Sequence, residues 1–338
     1  MQRVKSSQPR RLSPVSALLW RLGSTRLAGR MGSALRPLAL ASLVANVSLI
    51  VTGAAVRLTN SGLGCPTWPK CTQDSYTTTP EMGVHGVIEF GNRMLTWVLV
   101  GLAVACFLGA LNRRRRSLIR LSVLVALGVP GQGVVGGITV LTNLNPWVVG
   151  LHFILSIGLI AACFALWRRV DEGDGEPVLL VPVPLRQLTW ITVAASFAVI
   201  AAGVVVTGSG PHAGDQGAKR NGLDPATVSQ VHADLVFLLV GLSVALWFAL
   251  RAAGAPATAV RAAAVLIAVE LSQGLIGFVQ YFTHLPVILV AAHMLGSGLV
   301  WTSTLAVLWS LRKRPEVPAK PGRAPSGTSR PLNEPINA

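Results

Sequence analysis

Two of the six histidines in this chain close stretches that are near-copies of each other. Residues 132–152 read QGVVGGITVLTNLNPWVVGLH and residues 273–293 read QGLIGFVQYFTHLPVILVAAH, 141 residues further on. Each copy opens on Gln-Gly, places a second glycine four residues after the Gln (Gly136, Gly277) and a threonine ten after (Thr142, Thr283), and ends on a histidine (His152, His293). The likeness extends upstream. AGVVVTGSG at 202–210 resembles TGAAVRLTNSG at 52–62 with two residues fewer, and SQVHADLVF at 229–237 falls where EFGNRMLTW lies at 89–97. His232 therefore corresponds to Asn92, and His293 to His152. A neutral imidazole offers a lone pair to a metal, and two of them on neighbouring helices at similar depth suit axial ligation of haem iron between apolar walls. The competing reading of any one of these histidines is a helix-to-helix hydrogen bond. Duplicated context favours ligation for His232 and His293, whereas His152 faces Asn92 instead of a histidine in its own half.

Glu89 is the acid that stands out, because an ionisable side chain in an apolar span is costly and usually marks function. It lies four residues after His85 and three before Asn92, so the three share a helix face. A carboxylate there could move protons or stabilise a developing cation beside a bound substrate. Arg93 follows by four residues, and a structural Glu89–Arg93 ion pair is the alternative. Asp234, two residues after His232, is expected to orient that histidine or another ligand, and Glu270 has no evident partner. His212 and His284 fall in loops and are expected to be solvated. Cys106 and Cys163 read as core thiols. Cys65 and Cys71, in CPTWPKC, lie in one outer loop where disulfides persist. A bridge there would be either a structural staple or a redox-active pair near the reaction centre, and the spacing is not the Cys-x-x-Cys-His of covalent haem attachment.

The elements that must position these groups are membrane helices. Apolar residues make up 51% of the chain and charged ones 12%, with the charges crowded between long uncharged stretches. A span needs about 20 mostly apolar residues, and eight segments qualify: 38–56, 87–111, 118–141, 148–167, 188–207, 228–250, 262–282 and 287–311. Alternating the loops between two sides puts 24 of the 29 Lys and Arg on one of them, which is cytoplasmic by the positive-inside rule. The formal charge of +16 thus serves topology and contact with anionic lipid, not nucleic acid. The expected fold is an all-α integral membrane protein. Its eight transmembrane helices form two tandem four-helix bundles related by a pseudo-twofold axis along the membrane normal. The divisions are a basic cytoplasmic arm (1–37), a first half (38–167), a cytoplasmic linker (168–187), a second half (188–311) and a disordered cytoplasmic tail (312–338).

These features together resemble the haem A synthase family. The residues that carry the resemblance are GAAVRLTNSGLGCPTWPKC after the first span, IEFGNR in the second, His152 in the fourth, His232 in the sixth and AHMLGSGLVW in the eighth. It covers roughly residues 39–311, and the residue usage is similar to that of actinobacterial members. The resemblance implies an oxidoreductase for terminal-oxidase assembly that converts haem O to haem A, oxidising a ring methyl to a formyl group by successive hydroxylation. It implies haem b as cofactor, held through His232 and His293 in the second half, and haem O as substrate in the first. The family's catalytic carboxylate falls on Glu89 and its loop cysteines on Cys65 and Cys71.

Electrons would pass through haem b to an unidentified acceptor, and haem O synthase, oxidase-assembly factors and membrane lipid are the implied partners. The implied location is the cell membrane, with both termini cytoplasmic and the haem sites near the outer face. One position departs from the family pattern, because Asn92 stands where a second first-half histidine is expected. Asn is a poor iron ligand, which leaves His152 as the ligand of haem O iron and Asn92 and His85 as secondary candidates. His85 lies seven residues before Asn92, roughly 10 Å along a helix, so using it would shift the porphyrin outward. A quinol-coupled b-type electron-transfer protein or a non-enzymatic haem carrier would share the histidines but gives no reason for Glu89 or the cysteine loop. The haem O farnesyltransferase of the same pathway would need an Asp-rich diphosphate motif that the chain does not contain.

Overall fold

The computed structural model describes residues 13–316. Among them are ten α-helices: α1 Pro14–Gly23, α2 Arg26–Ser33, α3 Leu35–Leu58, α4 Gly83–Arg113, α5 Arg116–Leu141, α6 Pro146–Val170, α7 Val183–Ser209, α8 Pro225–Ala252, α9 Ala257–Phe282 and α10 Val287–Ser310. The helices α3 to α10 are each long and apolar enough to cross a membrane, and each of the eight expected segments falls on one of them. Helix is the form such sequences take because lipid offers no partner to a backbone N–H or C=O, so every pair must close within the segment. The hydroxyls inside the spans follow the same rule. Thr189, Thr192 and Thr207 of α7, Ser156 of α6 and Thr302 of α10 each donate to the carbonyl four residues earlier. Large apolar side chains such as Trp97, Leu127, Phe237, Leu275 and Ile288 are exposed, on a surface suited to acyl chains.

The duplicated stretches fold alike. After α5 the chain reverses through Asn143 and Leu144, both at positive φ (50° and 55°), and after α9 through His284 and Leu285 (63° and 60°). In both turns the amide of the second residue closes onto a carbonyl five residues back, Leu144 to Thr139 and Leu285 to Gln280, at 2.8 Å. Proline then opens the next helix or caps it, with Pro146 inside the first turn of α6 and Pro286 capping α10. This reversal sets the depth at which His152 and His293 enter their spans.

Each of α3 to α6 packs against its sequence neighbours, and α3 closes on α6. The same pattern joins α7 to α8, α9 and α10, with α7 closing on α10. The two groups meet through α10 against α3 and α6, and through α6 against α7. Trp301 of α10 is buried in that seam and donates its indole N–H to the Ile157 carbonyl of α6 at 3.1 Å. Cys106 and Cys163 are free thiols buried among the helices, as expected for core residues.

The ends are more ordered than their composition suggests. Within the basic arm, α1 and α2 pack on the end of α4, where Asn112 donates to the Gly23 carbonyl and Arg113 to that of Gly32. The start of the tail, expected to be disordered, forms strand β2 (Arg312–Lys313), which pairs antiparallel with β1 (Val178–Leu179) of the linker. Residues 1–12 and the tail beyond 316 lie outside the described residues. The linker is held by charge as well. Arg115 and Arg169 both bond Asp174, and Ser117 donates to it.

The Arg115 hydrogen bond, helped by that of Ser117 and by the positive charge of Arg115 and Arg169, holds the Asp174 carboxyl below its ordinary value against modest desolvation. A depressed carboxylate contributes stability that is complete above the unfolded-state value, near 3.9, and lost as pH falls through the folded one. Asp174→Asn should therefore lower the melting temperature of the detergent-solubilised protein at pH 6, by an amount that shrinks progressively as the pH is taken below about 3.9. A loss that stays constant as the pH falls would show that the carboxylate charge is not what matters.

Candidate functional site

In the second group of helices, His232 of α8 and His293 of α10 face each other across 6.4 Å between ring centres. Two imidazole nitrogens each about 2 Å from one metal would place their ring centres roughly 6 Å apart, so the pair has the spacing of two ligands on opposite sides of a single ion. His232 donates from Nδ1 to the Val199 carbonyl at 3.1 Å, which fixes its tautomer and leaves Nε2 for coordination. The Nδ1 of His293 is buried and forms no hydrogen bond of normal geometry, although the Gln273 backbone lies near the ring. A buried polar atom left so costs about 1–3 kcal/mol, a deficit a ligand would relieve. Among the described residues no group of three or more His, Cys, Asp and Glu is placed to hold a metal ion. Two protein ligands alone suit a metal whose other positions are filled by a macrocycle.

Each of these histidines lies against a glycine of the preceding helix. A Cβ on Gly203 of α7 would come within 3.1 Å of His232 Cε1, and one on Gly277 of α9 within 3.4 Å of His293 Cε1. The first group repeats one of these contacts unchanged, since Gly136 of α5 stands at 3.4 Å from His152 Cε1 by the same measure. His152 Nδ1 is likewise buried without a partner. At the remaining position the two groups differ. Asn92 of α4 accepts a hydrogen bond from Thr52 of α3 at 2.8 Å, and the residue aligned with Thr52 in the second copy is Ala202. The His-to-Asn and Ala-to-Thr differences thus go together, and they put a side-chain hydrogen bond where the second half has an imidazole. His85, the other secondary candidate, holds Ser61 through Nδ1 at 2.9 Å.

Glu89 is buried, at 5% exposure, and its partners are all in or near the cysteine loop. The Cys65 amide donates to one carboxylate oxygen, and Arg93 reaches the other at 2.5 Å through one guanidinium nitrogen and at 3.2 Å through Nε. The same guanidinium donates to the carbonyls of Cys65 (2.9 Å), Thr67 (3.1 Å) and Lys70 (3.2 Å). Arg93 is therefore both the ion-pair partner of Glu89 and a clamp on the loop. Cys65 and Cys71 are joined in a disulfide, with Cα atoms 4.5 Å apart and both residues fully buried. Trp68, between them, lies where a side chain on Gly137 of α5 would be, its ring within 2.3 Å of that position. The aligned residue in the second copy is Phe278. A glycine is needed only where the loop enters.

Three expectations are corrected. Asp234 is exposed and accepts from Gln230 at 2.8 Å, so it does not orient His232, which bonds to Val199. Glu270 does have a partner, because buried Ser243 donates to it at 2.8 Å. His212 is not simply solvated, since its Nε2 donates to the Leu285 carbonyl at 3.2 Å. The clamp formed by Arg93, the seating of Trp68 and the Ser61–His85 contact were not foreseen. For Trp68 a signal exists, the Gly136-Gly137 pair standing opposite Gly277-Phe278.

The sequence model of the family described as cytochrome oxidase assembly protein matches residues 36–305. The haem A synthase of Bacillus pumilus is 31% identical over 158 residues, 45% of this chain and 50% of that protein. The haem A synthase of Symbiobacterium thermophilum is 31% identical over 146 residues, 42% of this chain and 46% of that protein. With each of these two, the chain matches about half of the relative's length. The haem A synthase of Azorhizobium caulinodans is 28% identical over 322 residues, 78% of this chain and 89% of that protein.

Arg93→Gln would leave Glu89 buried without its cation and release three loop carbonyls. Breaking one side of such a pair costs on the order of 3–5 kcal/mol. Dithiothreitol should then reduce the Cys65–Cys71 disulfide at least about tenfold faster, as read by alkylation and mass spectrometry. Gly137→Leu should produce a similar acceleration by displacing Trp68. Rates within twofold of the parent chain in both variants would show that neither contact holds the loop.

Proposed function

The chain belongs to the cytochrome oxidase assembly protein family, and from that premise we propose that it works as a haem A synthase, an oxidoreductase that converts a methyl group of haem O to a formyl group. The observation that carries this reading is the difference between equivalent places in the two halves. His232 and His293 form a facing pair, whereas His152 has Asn92, closed by Thr52, where a second histidine would be. A fully ligated site suits a resident group, and a site with one histidine suits a molecule that enters, is changed and leaves. In this assignment residues 188–311 are the resident-haem half and residues 38–167 the substrate half, related by a pseudo-twofold axis along the membrane normal. The protein lies in the cell membrane with its arginine-rich end inside and the disulfide loop outside.

His232 and His293 would hold the resident group, haem b in this reading, which would supply one-electron redox chemistry. The Val199 carbonyl keeps the His232 imidazole in one tautomer. In the substrate half, His152 ligates the iron of haem O. The protein's main chemical contribution there is Glu89. Its hydrogen bonds from Arg93 and the Cys65 amide fix its orientation. An oriented carboxylate can stabilise positive charge developing on the methyl carbon as electrons are withdrawn, and can take the proton of the water that attacks it. Each such step removes two electrons and two protons and adds one oxygen from water. Two steps give a hydrated aldehyde, which loses water to leave the formyl group. The electrons would pass to an acceptor outside the chain, the one-electron chemistry being what a group held by His232 and His293 would supply.

A quinol-coupled b-type electron-transfer protein would also use the histidine pair, but it leaves the buried Glu89–Arg93–loop assembly without a task. Chromatography of pigments extracted from the purified protein separates the two. Haem A or a hydroxylated intermediate beside haem b supports the synthase, whereas haem b alone, in cells that make haem O, counts against it. Glu89→Gln should keep the haem b spectrum and reduce haem A formation by at least about 100-fold, in line with losing a positioned acid–base group. His232→Ala and His293→Ala should each abolish the reduced-minus-oxidised spectrum of the resident haem. Normal haem A production by the Glu89 variant would overturn its assignment.

A further inference from the structure

The helix ends opposite the disulfide loop carry a second polar site, unrelated to the histidines. A cleft of about 270 Å³ lies between the end of α6, the end of α10 and strand β2. Its cations are Arg168, Arg312, Lys313 and Arg314, and its acids are Asp171 and Glu172. Both acids are already engaged from elsewhere. Arg36 pairs with Asp171 at 2.8 Å, and Arg169 pairs with Glu172 at 2.8 Å. Arg314 stands 3.9 Å from Glu172. Among the described residues, Arg168, Arg312 and Lys313 have no acid partner, so the lining carries an uncompensated positive charge.

Two donors in this lining also lack partners. The indole Nε1 of Trp309 and Nε of Arg314 are buried with no hydrogen bond among the described residues. Arg312 lies over the Trp309 ring at 4.2 Å, which holds its guanidinium at the cleft. Burial lowers the pKa of Arg312 from its ordinary value, and the positive charges of Arg314 and Arg169 act in the same direction against Glu172. A bound anion would relieve that repulsion and accept from both orphaned donors. Apolar side chains adjoin the cleft. Val178, which pairs with Lys313 in the two-stranded sheet, is 56% exposed, and Leu180 and Val183 are exposed beside it. Exposed apolar residues next to unpaired cations at the end of a membrane helix suit the boundary between acyl chains and headgroups.

We infer that this cleft binds the phosphate headgroup of an anionic phospholipid, with Arg168, Arg312 and Lys313 contacting the charge and Trp309 donating to a phosphate oxygen. A lipid seated there bridges the linker between the two halves and the start of the tail, and so fastens α6 to α10. The site does not depend on the haem assignments.

The test is native mass spectrometry of the full-length protein released from detergent in the presence of phosphatidylglycerol or phosphatidylcholine of the same chain length. Phosphatidylglycerol should remain bound at about one molecule per chain, and phosphatidylcholine should be lost. Arg168→Gln with Arg312→Gln should reduce retention at least tenfold. Trp309→Phe, which keeps the ring under Arg312 but removes the indole N–H, should reduce it severalfold and decides the matter if the double variant does not fold. Parent-like retention in the folded double variant, or in Trp309→Phe when only that protein folds, would overturn the proposal. So would equal retention of phosphatidylcholine. A thermal stabilisation by inorganic phosphate equal to that by short-chain phosphatidylglycerol would make this a site for small anions and refute the lipid assignment.

Discussion

His152, His232 and His293 each rest against a glycine of the helix before them, and this contact organises the membrane part of the molecule. A glycine lets an imidazole edge approach the neighbouring backbone, so the ring is confined between two helices without being crowded out by a second side chain. For His152 and His293 the depth of the ring is set by the reversal before its helix, which is built alike after α5 and α9 from two residues at positive φ. In the second half, two such contacts bring His232 and His293 to 6.4 Å, the spacing that the proposed two-ligand site requires. In the first half, one glycine contact is retained at His152 while Thr52 and Asn92 close the other.

The half without the second histidine carries machinery that the other half does not have. The disulfide loop enters over Gly137, and Arg93 ties its carbonyls to α4 and to Glu89. A guanidinium suits this task because its planar fork presents several donors at once, here to one carboxylate and three carbonyls. Of the two rival readings of Glu89 from sequence, the ion pair with Arg93 is present. It does not exclude the other, because under the proposed function the same pairing would hold the carboxylate in one orientation toward a substrate.

The eight helices were legible because the apolar segments are long, separated by charge, and obliged by lipid to close their own hydrogen bonds. The juxtaposition of His232 and His293 was legible because the chain contains the pattern twice. What escaped depends on where a side chain points or on how a loop folds back. Asp234 is two residues from His232, which on a helix turns it about 200° away, so nearness in sequence was no guide to contact. Arg93 bonds Cys65, Thr67 and Lys70 across an irregular loop that no periodicity describes. The order at Arg312 and Lys313 comes from backbone pairing with Val178 and Leu179, a contact between distant segments with no local sequence signal. The Thr52–Asn92 bond was half visible: the substitution at 92 was plain, and its partner emerged only with the packing of α3 on α4.

The central claim is that one half keeps its porphyrin and the other processes one. An experimental density map of the protein purified with haem O tests it most directly. The account predicts two porphyrins: one with iron bonded to both His232 and His293, the other with iron bonded to His152 and a ring methyl turned toward Glu89. A map with haem O between His232 and His293, or with its methyl remote from Glu89, would contradict it.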